Sequence, residues 1–138
     1  MAQENSEKSN NIHFAQVKGN CMAPLLKEGS LVPFTPAFFP KLKRGDIAVL
    51  KLNDTVFIHR VIDTFEFRRQ AFIIHKGDTS PLPLVMPSAG LMGKVILENG
   101  NRAFRQNSVL KFNIFRIRIK LILQILMQNA RDKTCVCR

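Results

Sequence analysis

The sequence contains no tryptophan and no tyrosine, and only three of its 138 residues are cysteine. Three cysteines, one of them far from the other two, do not form a disulfide framework, and a cytosolic chain keeps them reduced. Cys135 and Cys137 stand close together near the end of the sequence, but they lack the further Cys or His neighbours that would complete a metal site. We therefore predict neither a metal ion nor a cofactor.

A long apolar run is missing as well. The most apolar stretch, residues 112–127, is interrupted by Arg116, Arg118, Lys120 and Gln124. Because such a stretch cannot span a bilayer, we expect no membrane-spanning helix. Residues 1–13 are polar where a signal peptide needs an apolar run, and we interpret them as a disordered leader. We expect a cytoplasmic protein whose association with a membrane, where it occurs, is peripheral.

Acidic residues are scarce near the C-terminal end. The chain carries a net charge of +11, to which residues 1–100 contribute +3 and residues 101–138 contribute +8, from nine basic side chains and one acidic side chain. We therefore predict that residues 108–138 form a basic amphipathic segment, in which the basic side chains are interleaved with Ile, Leu and Phe. We predict that residues 108–130 contact an anionic membrane surface, and the alternative is a solvated basic face.

Nucleic acid is a disfavoured partner. The 13 residues ahead of Phe14 are too few for a helix-turn-helix domain, and the sequence has no platform of alternating aromatic and basic residues.

Residues 14–107 have the pattern of one small, mainly β domain. With 46% apolar residues, the chain is long enough for a single compact core. Runs rich in Val, Ile and Phe, separated by turn formers, predict antiparallel strands. The predicted strands are Gly29–Phe34, Asp46–Leu52, Thr55–Phe67, Ala71–His75 and Leu91–Glu98.

Turn and helix signals complete this outline. Asn53-Asp54 and Asn99-Gly100 predict tight hairpins. The three prolines between Asp78 and Gly90 predict a loop. Residues 115–121 alternate like a strand, whereas Leu121–Ala130 fits a helix, and we favour the helix.

Two residues are candidates for chemistry. Cys21 follows Gly19, which permits a sharp turn just before the sulfur, so the thiol is either exposed and activated or a small buried hydrophobe. Strand alternation places His59 on one face with Phe57, Val61 and Asp63, where a histidine is either structural or catalytic. His13 and His75 have no comparable pattern.

Six short segments, taken together and in this order, form a recognisable pattern. They are Gly19–Pro24, Glu28–Val32, Arg44–Val49, Ile58–Ile62, His75–Asp78 and Gly93–Val95. The chain from about residue 14 to residue 97 thereby resembles the signal peptidase-like superfamily, which also includes the self-cleaving domains of phage and SOS repressors. The resemblance implies a coiled antiparallel sheet or partly open barrel, here with a C-terminal helix.

The resemblance also implies a site. The residue before the first segment's Met is the family's serine nucleophile, and Cys21 stands there. His59 matches the base of the histidine-type members, and Asp78 matches an acid near their active site. The family's second acid falls at Leu84. Gly19, Met22 and Pro24 are then expected to contact substrate.

These matches predict an endopeptidase that cleaves a peptide or protein precursor at a leader or signal-type segment. Cys21, activated by His59 and with Asp78 completing the site, would attack the peptide carbonyl. A thiol needs less help from a base than a hydroxyl does. This fits the two positions at which the sequence departs from the family, Cys21 in place of the serine and Leu84 in place of the second acid. The alternative treats the same departures as decay and predicts an inactive fold that binds a peptide or serves as a structural module.

Overall fold

The structure, a computed structural model, describes residues 11–97 and 108–134. In chain order its elements are β1 (His13–Gln16), β2 (Leu31–Pro36), β3 (Ile47–Leu52), β4 (Thr55–Phe67), β5 (Gln70–Lys76), β6 (Leu84–Pro87), β7 (Leu91–Val95) and the helix α1 (Ser108–Thr134). The strands form one antiparallel sheet in the order β1-β2-β7-β3-β4-β5-β6, curled into a half-barrel. The prediction of a mainly β, antiparallel fold with a C-terminal helix is confirmed.

Two tight turns connect the three longest neighbouring strands. Asn53-Asp54 joins β3 to β4, with Leu52 paired to Thr55 and Asn53 at a φ of 53°, as the sequence predicted. Arg68 and Arg69 join β4 to β5 with φ values of 50° and 62°. Two successive left-handed residues match the twist of a hairpin, although side chains other than Gly, Asn and Asp rarely adopt this conformation.

The central strand β3 is buried on both faces because the sheet curls. Ile47 and Val49 pack on one side, in the cluster that also holds Met22 and Ile58. Ala48 and Leu50 pack on the other side, with Val61, Ile73 and Met86. An uninterrupted apolar run is expected for a strand that is covered twice.

An extra residue in β4 changes which face the following residues occupy. From the turn as far as Asp63, β4 pairs with β5 so that Asp63 lies opposite Ile74. The register then shifts by one residue, and Val61 lies opposite His75. Ile62 is thus the extra residue of a β-bulge. The predicted placement of Asp63 on the face of His59 was wrong, because strict alternation does not continue through a bulge.

The helix is longer than predicted. α1 begins at Ser108 rather than Leu121, and residues 115–121 are helical rather than extended. Its inner side consists of Ile114, Ile117, Leu121 and Ile125, which recur at helical spacing and are buried or half-buried. A second apolar row on the outer side produced the false strand alternation. No helix within the described ranges is both long and apolar enough to cross a membrane.

The stretch between Asp78 and Gly90 is not entirely a loop. Leu84–Pro87 forms β6, which pairs with β5 at the edge of the sheet. An edge strand tolerates proline because only one of its sides must supply ladder hydrogen bonds. The Asn99-Gly100 hairpin, residues 1–10 of the leader, and Cys135 and Cys137 lie outside the described residues. The described end of the leader includes His13, which begins β1.

Helix α1 is held on the sheet by an apolar contact and by a buried carboxylate. Ile114 packs with Ile62 and Ile74. The Asp63 side chain, only 4% exposed, accepts hydrogen bonds from the Arg118 guanidinium and, at 2.8 Å, from Arg44 Nε. The bulge therefore aims Asp63 at a basic residue of the helix.

Replacing Asp63 by Asn should loosen this docking. The Asp63→Asn variant leaves the Arg44 and Arg118 cations without their shared anion, and we expect unfolding in urea to require about 2 kcal/mol less free energy. Asp54→Asn, in the exposed β3–β4 turn, is the matched control and should change stability by less than about 0.5 kcal/mol. Equal effects of the two substitutions would contradict the assignment.

Candidate functional site

Cys21 lies in the turn that leads from β1 towards β2. Gly19, at a φ of 77°, donates its N–H to Glu28 Oε1 at 3.2 Å and reverses the chain before the sulfur. The Ala23 N–H donates to the Asn20 carbonyl at 3.1 Å, which closes the turn around Cys21. Met22, fully buried in the core, anchors the turn, and Cys21 itself is half-buried.

The Cys21 turn fits against the end of β5 because residue 77 is glycine. A Cβ at Gly77 would lie 2.8 Å from the carbonyl oxygen of Cys21 and 2.9 Å from its Cβ. The next residues bind the turn from the same side, since the N–H of Thr79 donates to the Cys21 carbonyl at 3.1 Å and its hydroxyl donates to the Asn20 carbonyl at 3.2 Å. The position of Cys21 is therefore set by residues 77–79.

This packing brings the thiol beside β4. The Cys21 Sγ lies 3.9 Å from the carbonyl oxygen of Ile58, the residue before His59, and the thiol donates to that oxygen. Among the described residues, no hydrogen bond joins the sulfur to the His59 ring. The sulfur thus lies at the backbone of β4, where Cys21 packs with Ile58, whereas the His59 ring projects from the other face of the strand beside Phe57.

His59 forms a pair with a second histidine. Its Nδ1 lies 2.8 Å from Nδ1 of His75, and the ring of Phe57 lies 5.1 Å and 5.3 Å from the two imidazole rings. Two nitrogens at this distance share one proton, so one Nδ1 donates and the other accepts. His75 is only 2% exposed. The pair exists because the bulge at Ile62 places His75 on the face of His59.

Burial keeps both imidazoles neutral near pH 7. It lowers the pKa of His59, an effect that the nearby Lys76 increases and the Asp78 carboxylate partly offsets. Burial, together with the neighbouring His59, lowers the pKa of His75 to about 4. A neutral His59 is in the state that a general base requires.

Asp78 pairs with an arginine rather than with a histidine. Its two carboxylate oxygens accept hydrogen bonds from Nε and Nη2 of Arg60, both at 2.7 Å. Arg60 is buried and also donates to the Gly45 carbonyl at 3.0 Å. This bidentate pair holds the Gly77–Ser80 segment on which the Cys21 turn rests. Within the described chain, Asp78 makes no hydrogen bond to His59.

The structure brings Cys21, His59 and Asp78 into one region, at the junction of the Cys21 turn, β4 and the end of β5. Of the residues predicted to contact substrate, Pro24 is exposed and Gly19 is partly exposed. The prediction for Met22 needs correction, because its fully buried side chain belongs to the core and offers a substrate no surface. Leu84, at the position of the family's second acid, lies opposite His75 across the β5–β6 pair.

Sequence reasoning missed three residues that shape this site: His75, Arg60 and Gly77. The spacing of His75 from the Arg68-Arg69 turn would have placed it opposite Ile62, on the wrong face for contact with His59. Only the bulge at Ile62 brings His75 to the face of His59. Gly77 and Arg60 did carry a signal, because both fall within the segments that resemble the signal peptidase-like superfamily.

No cluster of three or more His, Cys, Asp or Glu side chains in the described ranges is arranged to hold a metal ion. Comparison of the chain with protein-family models, with curated proteins and with solved structures finds no match.

The histidine pair should make stability depend on pH. A folded-state pKa of about 4 for His75 means that the unfolded chain, with a pKa near 6.5, binds more protons between these values. The stabilisation is complete above about pH 6.5 and is lost as the pH falls through about 4, at a cost of about 3 kcal/mol. Urea unfolding at a series of pH values measures it.

Two variants separate this effect from the general loss of stability in acid. His75→Gln should be less stable at neutral pH and should lose most of the excess pH dependence. His13→Gln, which replaces an exposed histidine of β1, should retain the wild-type slope. A His75→Gln slope equal to that of the wild type would show that the pair does not titrate in this way.

Gly77→Ala should displace the Cys21 turn. The added methyl group overlaps backbone and Cβ atoms of Cys21, which cannot move aside like a flexible side-chain end, so we expect a loss of about 1–3 kcal/mol. The double variant Gly77→Ala/Ser80→Ala tests the cause, because Ser80 Oγ also lies 2.9 Å from the new methyl position. Full recovery in the double variant would place the conflict at Ser80 instead of Cys21.

Proposed function

We propose that this chain is a cysteine-type endopeptidase on a signal peptidase-like fold, which cleaves a peptide or protein precursor at a leader or signal-type segment. The observation that carries the proposal is the 3.9 Å approach of the Cys21 thiol to the carbonyl oxygen of Ile58, the residue before His59 in β4. Nucleophilic acyl transfer needs a thiol and a neutral imidazole that can meet, and the proposed reaction moves the sulfur from the Ile58 carbonyl to His59.

In the proposed reaction, the Cys21 thiol leaves the Ile58 carbonyl and gives its proton to Nε2 of His59. The thiolate attacks the carbonyl carbon of the peptide bond, and the imidazolium returns the proton to the nitrogen as the carbon–nitrogen bond breaks. Water, deprotonated by His59, then hydrolyses the thioester and restores the thiol. Substrate binding moves the sulfur from the Ile58 carbonyl towards His59, since catalytic hydrogen bonds often form only in the complex with substrate.

His75 acts as the positioning residue in this scheme. When Nδ1 of His59 donates to Nδ1 of His75, the proton of His59 is held at Nδ1 and the lone pair at Nε2 remains available as the base. In histidine-type relatives an acid is often the group that orients the base. His75 takes this role here, because Leu84 lacks a carboxylate.

Two further groups support charge development at the site. The Asp78 carboxylate, fixed by Arg60, favours the imidazolium that forms on His59. The backbone N–H of Cys21, which has no hydrogen-bond partner within the described residues, is available to an oxyanion formed next to the sulfur.

Alkylation kinetics test the thiol–imidazole pair without a known substrate. In a Cys135→Ser/Cys137→Ser background, Cys21 is the remaining thiol, and we expect iodoacetamide to modify it readily below about pH 8. His59→Ala should slow this reaction about tenfold or more, and His13→Ala should not. His75→Gln should shift the pH profile of the rate, which a purely structural role would leave unchanged.

Cleavage itself is measured with peptides that carry small residues before the scissile bond. Wild-type protein should cut a subset of them, and Cys21→Ala and His59→Ala should lose the activity by at least about a hundredfold. Cleavage that is unchanged in both variants would overturn the proposal.

The second candidate is a peptide-binding or structural module without catalysis. It is favoured by the hydrogen bond from the Cys21 thiol to the Ile58 carbonyl, because a buried structural thiol makes a bond of this kind. This alternative predicts slow alkylation that does not depend on His59, and peptide binding that survives Cys21→Ala. The two experiments above therefore distinguish the candidates.

A further inference from the structure

Helix α1 presents a row of apolar side chains on the side away from the sheet. Phe115, Ile119, Leu123 and Leu126, here called the outer row, are between 38% and 61% exposed. At 100° per residue they fall within about 80° of one another around the helix axis. The inner side of α1 already packs on the sheet, so the outer row is not part of the domain core.

Cations flank the outer row, and anions do not. Arg116 and Lys120 lie next to it and are exposed, and Lys111 lies on its other side. The sequence from Ser108 to Met127 contains no acidic residue. An apolar row between long basic side chains lets the apolar groups enter a layer while the charges stay at its polar boundary.

The surface becomes apolar again beyond Arg116 and Lys120. A groove between α1 and the start of β6 is lined by these two cations together with Leu82, Pro83 and Ile117. Leu82 is 63% exposed, and it reaches the same side of the molecule as the cations. The basic side chains are thus bordered by apolar groups on two sides.

We propose that this face of the protein, comprising the outer row, Arg116, Lys120 and Leu82, binds the surface of an anionic lipid bilayer, with α1 lying parallel to it. The apolar side chains insert at the level of the acyl-chain boundary, and the cations contact the lipid phosphates. A second copy of the chain is a poorer occupant, because the outer rows of two helices are flanked by cations and, from Ser108 to Met127, by no acidic residue, so their pairing brings like charges together.

Docking of α1 on the sheet gives membrane binding a fixed orientation. The Asp63–Arg118 pair and the contact of Ile114 with Ile62 and Ile74 hold the inner side of α1 while the outer row is engaged. The β domain therefore approaches the bilayer in one pose. This inference does not depend on the proposed peptidase activity.

The test is co-sedimentation of the full chain with vesicles of phosphatidylcholine mixed with phosphatidylglycerol, compared with vesicles of phosphatidylcholine alone. We expect binding to the mixed vesicles that weakens with added salt, and little binding to the neutral ones. Leu123→Gln should weaken binding about tenfold, and Lys120→Gln about fivefold. Far-UV circular dichroism verifies that each variant retains its helix.

Matched substitutions elsewhere provide the controls. Leu31→Gln removes an apolar side chain that is 66% exposed on β2, and Lys41→Gln removes an exposed cation far along the chain from α1. Neither should change binding by more than about twofold. Equal binding to both kinds of vesicle, or equal losses from Leu31→Gln and Leu123→Gln, would overturn the proposal.

Light scattering in the absence of vesicles tests the other occupants. A dimer that Leu123→Gln dissociates would assign the outer row to self-association and would also overturn the proposal. A monomer that binds neither kind of vesicle would leave an acidic protein partner as the occupant, which likewise contradicts the membrane assignment.

Discussion

The β-bulge at Ile62 determines which side chains of β4 and β5 meet. On the turn side of the bulge, Asp63 shares a face with Ile74 and reaches Arg118 of the helix. On the other side, His75 shares a face with Val61 and reaches His59. One inserted residue thus serves both the docking of α1 and the histidine pair. Without it, the register set by the Arg68-Arg69 turn would place His75 opposite Ile62, on the other face from His59, and Asp63 would lie on the face of His59 and Val61, away from Arg118.

The rest of the candidate site depends on the Arg60–Asp78 ion pair, which fixes the backbone of the segment after β5. That segment in turn holds the loop that carries Cys21. Arg60 lies on the bulged strand and binds both Asp78 and the Gly45 carbonyl, so it connects β4 to the segments on either side. The segment that follows Asp78 then supports the Cys21 turn through Thr79. An ion pair at this depth is costly to desolvate, and it is retained here with both carboxylate oxygens and three guanidinium nitrogens hydrogen-bonded.

Local pattern was sufficient for much of the fold. The limits of β4 were predicted correctly, and so was the hairpin at Asn53-Asp54, because strand propensity and turn chemistry are encoded within a few residues. The start of α1 was not predicted, since a helix with apolar side chains on two sides mimics strand alternation. The partner of His59 was not predictable either, because counting back from the Arg68-Arg69 turn assigns His75 to the opposite face unless the bulge is known. Cys21, by contrast, was a candidate from Gly19 and from the resemblance, and its catalytic role stays a prediction.

The two departures from the signal peptidase-like pattern are chemically consistent with each other under the proposed function. A carboxylate that orients a histidine also stabilises the imidazolium by its charge, whereas a neutral imidazole such as His75 orients it with much less electrostatic help. A serine nucleophile, whose proton is hard to remove, would suffer from this loss. A thiol, with a free pKa of about 8.5, transfers its proton to an imidazole at far lower cost. Under the proposed function, a cysteine at position 21 therefore fits a site in which Leu84 supplies no acid and His75 orients His59, and the lowered pKa of both histidines keeps a proton-accepting nitrogen available near neutral pH.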